Sequence, residues 1–356
     1  MSGPVATRHH VAVSASGGTV VIEERDVPLP GPGRVLVEVS HCGICGWDLH
    51  MIVEGWGPPG VVHGHEYAGV VAALGEGVTG VSIGDRVVGG GAQGCGRCDR
   101  CLAGRPSQCA HRGELRGDGG AHDGAYARYV SVAATSLVPV PEGLSLRAAA
   151  LAEPLAVALH GLSRSGATAG ESAMVMGAGP IGALTVAVLA DRGVGPLAAV
   201  EPSETRRQMA FGLGADTVLR PDELPTFGIH QPEEQSPLAV DVVYECSGRR
   251  SAMEAGLQQL RRGGRMVMLG AGIEPPSFDP NRILLNELTV TGSLNYDPSG
   301  FSDALALLAS GRLRTDLLID PDDVPLAELG AALERLTSGA VAGKVMVVPT
   351  LGAEHG

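Results

Sequence analysis

Gly177-Ala178-Gly179-Pro180-Ile181-Gly182 is the run on which the reading of this chain turns. It follows a short apolar stretch, Ser172–Met176, that reads as a strand, and it opens apolar spacing of helical period over Ile181–Asp191. In that context each glycine has a physical task. The first permits a tight turn, the second lets the backbone approach a pyrophosphate, and the third lets helix pack on strand. Free N–H groups and the helix dipole at the start of the helix favour an anion there. Gly177, Gly179, Pro180, Ile181 and Gly182 are therefore candidate dinucleotide contacts.

Toward the C-terminus the same rhythm repeats. Strands are expected at Leu197–Val200, Val240–Cys246, Arg265–Leu269 and Leu288–Thr291, and helices near Glu204–Leu213, Ser251–Leu260 and Phe301–Ala309. Strand alternating with helix predicts a parallel, doubly wound sheet. Glu201 ends the second strand, where a carboxylate accepts hydrogen bonds from ribose hydroxyls and repels a 2′-phosphate, so NAD is expected rather than NADP. Arg206 and Arg207, just beyond, oppose that reading. Further cofactor contacts are expected at Leu269, Gly270, Ala271, Leu294 and Asn295. The stretch from Pro221 to Pro237, with four prolines and no apolar period, reads as an exposed loop.

Toward the N-terminus the period changes. Residues 10–39, 68–73 and 85–88 read as short strands separated by prolines and Gly-rich turns such as Gly75-Glu76-Gly77, which predicts an all-β body forming a partly closed barrel. After Pro139-Val140-Pro141, Ser145–Ser163 carries apolar residues at helical spacing. Gly343–Pro349 reads as a strand returning to the first domain.

Two sets of metal-binding side chains sit in the β body. Cys42-Gly43-Ile44-Cys45-Gly46-Trp47-Asp48-Leu49-His50, answered by Gly64-His65-Glu66, offers thiolate, imidazole and carboxylate, the ligand types of a zinc ion that keeps a position open for chemistry. Cys95, Cys98, Cys101 and Cys109 form Cys-x2-Cys-x2-Cys-x7-Cys. Four thiolates at this spacing can close a tetrahedral shell, as a structural zinc requires.

Taken with Ala152-Glu153-Pro154-Leu155 and Gly343-Lys344-Val345, these motifs make the whole chain resemble the zinc-dependent medium-chain dehydrogenase/reductase family. The Glu-Pro-Leu segment resembles the sorbitol, threonine and butanediol dehydrogenases. That resemblance implies a GroES-like, zinc-binding domain over residues 1–154 and 297–356, a Rossmann domain over 155–296, and an active site in the cleft between them. It implies that Cys45 and His65 ligate the reacting zinc, that Cys42 does not, and that Glu66 and Glu153 bind the metal or hold its water. Asp48 matches the acid that orients the ligand histidine, and His50 the far end of a proton relay. Family members that oxidise simple alcohols carry Ser or Thr two residues after the ligand cysteine. Here the residue is Trp47, whose indole N–H only donates, so that relay is broken at its first step.

Composition bounds the rest. The chain has 356 residues, a formal net charge of −13 and only 3% aromatic residues. Acidic balance argues against nucleic acid, no window reads as a membrane span, and seven cysteines, six crowded between residues 42 and 109, suit a reducing cytoplasm. The expectation is two zinc ions per chain, NAD, a small alcohol or carbonyl substrate and a homodimer or homotetramer. Trp47, Trp56 and Leu294-Asn295-Tyr296 are expected to line the pocket. The competing expectations are a reductase of an activated double bond, and a non-catalytic nucleotide-binding protein with structural zinc only.

Overall fold

The computed structural model of the protein describes residues 5–89, 94–111, 124–228 and 231–351. Its contacts divide the chain into two units: Met1–Glu153 with Asp297–Ser310 and Ile319–Gly356, and Pro154–Tyr296 with Gly311–Leu318.

The first unit is built on β-branched strands. Strand β1 (Arg8–Ala15) and β2 (Thr19–Asp26) form an antiparallel hairpin whose turn uses Gly17 and Gly18, both at positive φ. A second sheet runs in the order β14 (Val324–Pro325), β15 (Met346–Val348), β3 (Arg34–Gly43), β4 (Glu66–Leu74), β5 (Arg86–Gly89) and β7 (Val138–Pro139), with β6 (Tyr129–Ala133) also paired to β3. Val11, Val13, Val37, Val71, Val87, Val130 and Val347 fill one shared core, as expected of a chain poor in aromatics. Pairing of β3 with β4 slips at Leu36/Val37 and again at Val39/His41. A bulge bends a strand and re-aims the side chains beyond it, and the second slip comes just before Cys42 and Gly43.

All strands of the second unit are parallel. Strands β8 (Ala173–Met176), β9 (Leu197–Val200), β10 (Thr217–Leu219), β11 (Val240–Glu245), β12 (Leu260–Met268) and β13 (Thr289–Gly292) take the order β10-β9-β8-β11-β12-β13. The chain winds outward from β8, returns, and winds outward again from β11, so the topological switch point lies between β8 and β11. The helix Pro180–Asp191 is buried from Gly182 to Leu189, which explains why its residues are apolar all round.

Some expectations change. Strand β10 was not anticipated, and the helix expected over Ser145–Ser163 is two, Leu146–Ala149 and Ala152–Ser165. The 221–237 stretch is not simply exposed: Leu224 and Ser236 are buried, and the buried Arg282 guanidinium donates to the carbonyls of Pro232 and Glu234. Residues 311–318 go with the second unit, because Arg312 pairs with Asp191 at 3.1 Å and the short helix Thr315–Leu318 packs on the helices Pro180–Asp191 and Glu204–Gly212.

Candidate functional site

Cys45 stands at the end of the β3 segment and caps the short helix Gly46–Asp48. Its Sγ accepts the Trp47 N–H at 3.4 Å, and its own N–H donates to Asp48 Oδ2 at 3.0 Å. Glu66 opens β4, in register with Gly43, so pairing of β3 with β4 brings the two motifs together. The result is a compact donor set: one ligand atom each from Cys45, His65 and Glu66 lie within 4.8 Å of one another. A tetrahedral zinc with bonds of roughly 2.0–2.3 Å needs donors roughly 3.3–3.8 Å apart, so the set fits the ion after small side-chain shifts. Glu66 is fully buried, its Oε1 accepting from Lys344 Nζ and its Oε2 lying 2.7 Å from the same ammonium.

Glu153 is buried at the start of its helix but stands outside that tight trio. Burial, with Glu66 and Asp48 adding and His65 opposing, pushes its carboxyl up to about 7. Burial alone would lower His65, yet Cys45, Asp48 and Glu153 together hold it well above the ordinary imidazole range. Asp48 Oδ1 faces His65 Nδ1 at 3.8 Å, beyond hydrogen-bond length, while Oδ2 accepts from Tyr126 Oη at 2.6 Å. Cys42 is sealed off, and burial drives its thiol far above its usual value.

Two members of this cluster were not assigned roles from the sequence. Lys344, only 1% exposed, places Nζ 2.7 Å from both oxygens of Glu66, donating to Oε1, and also donates to the Ile44 carbonyl at 3.0 Å. Tyr126 fixes Asp48. A lysine in an apolar strand was the available signal for the first, since a buried cation must be paired. Nothing in the sequence around Tyr126 marks the second.

Trp47 and His50 do not lie idle. Their rings meet edge-on at 6.3 Å, Trp47 meets Trp56 edge-on at 5.9 Å, and His50 stacks on Trp56 at 4.6 Å. His50 Nδ1 is bound to Glu54 at 2.9 Å.

Cys95, Cys98, Cys101 and Cys109 also converge, with donor sulfurs within 4.8 Å of one another. Backbone N–H groups of Cys95 and His111 point at Cys109 Sγ, at 3.3 and 3.4 Å. Hydrogen bonds from the Cys101 and Ala110 backbone bring the Cys98 thiol down to about 6. Donors aimed at sulfur favour thiolates, which is what a closed zinc shell requires.

In the second unit the glycine turn has the geometry its sequence asks for. Gly177 has φ +90°, and a Cβ at Gly182 would overlap the Gly177 carbonyl oxygen. A Cβ at Gly179 would meet nothing within 4 Å, so the backbone there faces open space. Glu201 ends β9 buried, accepting the Ala178 N–H at 2.8 Å and the Ser203 N–H at 3.0 Å. Arg207 is spent locally on the carbonyls of Glu201 and Pro202 and on Glu204, and Arg206 precedes it on the helix Glu204–Gly212. The segment around Leu269, Gly270 and Ala271 interlocks with Gly248, where a Cβ would strike the Ala271 carbonyl. Leu294 is exposed and Asn295 has φ +58°, whereas Tyr296, expected in a pocket wall, is buried.

Comparison with known proteins agrees with this geometry. Residues 31–142 match the alcohol dehydrogenase GroES-like domain and residues 180–310 the zinc-binding dehydrogenase domain. The sorbitol dehydrogenase of Halalkalibacterium halodurans is 32% identical over 93% of this chain and 96% of its own length. Among solved structures, the 2R,3R-butanediol dehydrogenase of Bacillus subtilis superposes with a TM-score of 0.80 at 29% identity, covering 96% of this chain and 100% of that one. The zinc-binding dehydrogenase of Sinorhizobium meliloti 1021, solved with NADP, gives 0.83 at 31% identity, covering 97% and 100%. With both domain matches, full-length relatives and two thiolate-bearing donor sets in place, the chain belongs to the zinc-dependent medium-chain dehydrogenase/reductase family, in the branch of the sorbitol, threonine and butanediol dehydrogenases.

Proposed function

We propose that the protein interconverts a secondary alcohol and its ketone with NAD, using one zinc held by Cys45, His65 and a carboxylate from Glu66 or Glu153, and a second held by Cys95, Cys98, Cys101 and Cys109. The observation that carries the reading is the convergence of Cys45, His65 and the buried Glu66, one ligand atom of each within 4.8 Å of the others. Bound zinc supplies Lewis-acid polarisation of the alcohol or ketone oxygen, and bound NAD supplies a hydride acceptor. The chain's own residues do the rest. Asp48, held by Tyr126 and the Cys45 N–H, places a carboxylate opposite His65. Lys344 pairs with both oxygens of the buried Glu66 carboxylate and fixes its position. Trp47 offers no hydroxyl, so the substrate proton leaves through water and not through a side chain.

Support for NAD is the Glu201 carboxylate at the end of β9, a negative charge where a 2′-phosphate would sit. Backbone at Gly177, Gly179, Pro180, Ile181 and Gly182 holds the pyrophosphate. Cytoplasmic location and assembly as a homodimer or homotetramer are part of the proposal. No helix among the described residues is long and apolar enough to cross a membrane, and light scattering of the purified protein reads the copy number. The central test is NAD-coupled oxidation of a panel of secondary alcohols, diols and polyols by zinc-loaded protein. Turnover abolished in both Cys45→Ser and His65→Ala is the expected result, and turnover unchanged in either sinks the assignment.

A further inference from the structure

Glu245 is the last rung of the parallel sheet on both of its flanks, in register with Met176 at the end of β8 and with Met268 at the end of β12. Its side chain is fully buried, and among the described residues no basic side chain pairs with it. A buried carboxylate is costly unless donors replace its water.

The donors come from the loop that follows. Oε1 accepts the Ser247 N–H at 2.8 Å, the Ser247 hydroxyl at 2.5 Å and the Gly248 N–H at 3.0 Å, and Oε2 lies 3.2 Å from the same Gly248 nitrogen. Ser247 Oγ accepts the Arg249 N–H at 3.1 Å, so the whole loop after β11 is wound about one carboxylate. The backbone of the same residue holds the next loop. Its carbonyl accepts the Leu269 N–H at 2.8 Å and the Gly270 N–H at 2.9 Å.

Close packing then joins these loops to each other. A Cβ on Gly270 would overlap the Gly248 nitrogen, and one on Gly272 would overlap the Gly248 carbonyl. On the other side, a Cβ on Gly177 would stand 2.8 Å from Ser247 Cβ, so the glycine turn after β8 rests on the same loop. Loops this close cannot move independently. Ligands of such sheets bind at the carboxyl ends of the strands beside the switch point, and a site already in place is spared the ordering cost of assembling it.

We propose that Glu245 is a positioning residue that ties the loops after β8, β11 and β12 into one preformed seat for the dinucleotide, acting through Ser247 and Gly248. The proposal rests on the NAD reading above and deepens it. Glutamine is only a partial substitute, because three donors converge on Oε1 and an amide oxygen has two lone pairs.

Backbone hydrogen exchange of the zinc-loaded protein without cofactor reads the seat itself, and calorimetric titration with NAD reads its consequence. In Glu245→Ala, amides of residues 247–250 and 269–272 should exchange at least about tenfold faster than in the parent, while those inside β8 and β11 stay protected. NAD should bind about tenfold more weakly, since affinity falls with the fraction of molecules whose site is formed. Glu245→Gln should fall between parent and Glu245→Ala in both measurements, and it decides the matter alone if Glu245→Ala does not fold. A merely structural role would lower the melting temperature and leave the NAD affinity of the folded variants at the parent's value. That result, or loop exchange equal to the parent's in both variants, overturns the positioning role. A parent that takes up neither NAD nor NADP overturns the cofactor reading itself, whereas equal NAD affinity in parent and variants overturns the role of Glu245 alone.

Discussion

Glu66 and Lys344 form a fully buried ion pair, and a buried pair is most sensitive to losing one member. Lys344→Met strands the Glu66 carboxylate, and the expected loss is about 3–5 kcal/mol in urea unfolding. Adding Glu66→Gln to that variant should restore part of the stability, because the stranded charge is gone. Equal losses in the single and double variants would show that the pair is not coupled. Glu201 is a second residue with a local reading. It accepts the Ala178 N–H inside the glycine turn, so Glu201→Ala should both raise the NAD dissociation constant and narrow the NAD-over-NADP preference by about tenfold, on the scale of one charge-assisted hydrogen bond. Direct titration with both cofactors checks this, and an unaltered preference would move the credit to Arg206. What was legible here followed chemistry. Cys45, His65, Glu66 and the four-cysteine set announce themselves by ligand type and spacing, whereas Lys344 and Tyr126 reach the site from far along the chain and carry no local signature.

At the scale of the element, the turn between β8 and its helix separates two uses of glycine. Gly182 is there for packing, since a Cβ would overlap the Gly177 carbonyl, and Gly182→Ala should cost about 1–3 kcal/mol through forced backbone movement. Neither packing nor backbone requires a glycine at Gly179, because nothing lies within 4 Å of a Cβ and its φ of −64° suits any residue, which leaves the proposed pyrophosphate contact as its reason. Gly179→Ala should therefore unfold within about 0.5 kcal/mol of the parent and bind NAD at least about tenfold more weakly. Thermal unfolding paired with NAD titration reads both, and equal affinity in Gly179→Ala would remove that position from the pyrophosphate contact. Apolar period made the five longer strands and the flanking helices visible in advance. Strand β10 was not, since Thr217–Leu219 is too short to show any period, and the 221–237 stretch gave no sign that Arg282 would hold it down from a distance.

Across the whole molecule, the two proposed zinc sites should part company under chelation. The Cys45, His65 and Glu66 set offers three donors, which would leave a zinc position open, and the other set offers four, so a chelator should remove one zinc together with all activity while the second stays. Elemental analysis on samples taken through the time course checks this, and simultaneous loss of both metals would count against a distinction between them. Fold class was readable because alternation in one half and β-branched runs in the other obey different periods. Membership of residues 311–318 was not, since it depends on the Arg312–Asp191 pair and not on any local pattern. The strand β15 that carries the chain past Lys344 is antiparallel to β3, and Lys344 meets Glu66 across 278 positions of sequence. On a ribosome that separation becomes a delay. Pro154–Tyr296 is a continuous segment and can fold as it emerges, while Glu66 lacks its cation until the segment carrying Lys344 has been made. A chain stalled or cut before Gly343 would then carry a finished nucleotide fold and an unfinished metal site, which makes arrival of the Lys344 segment the event that completes the metal site.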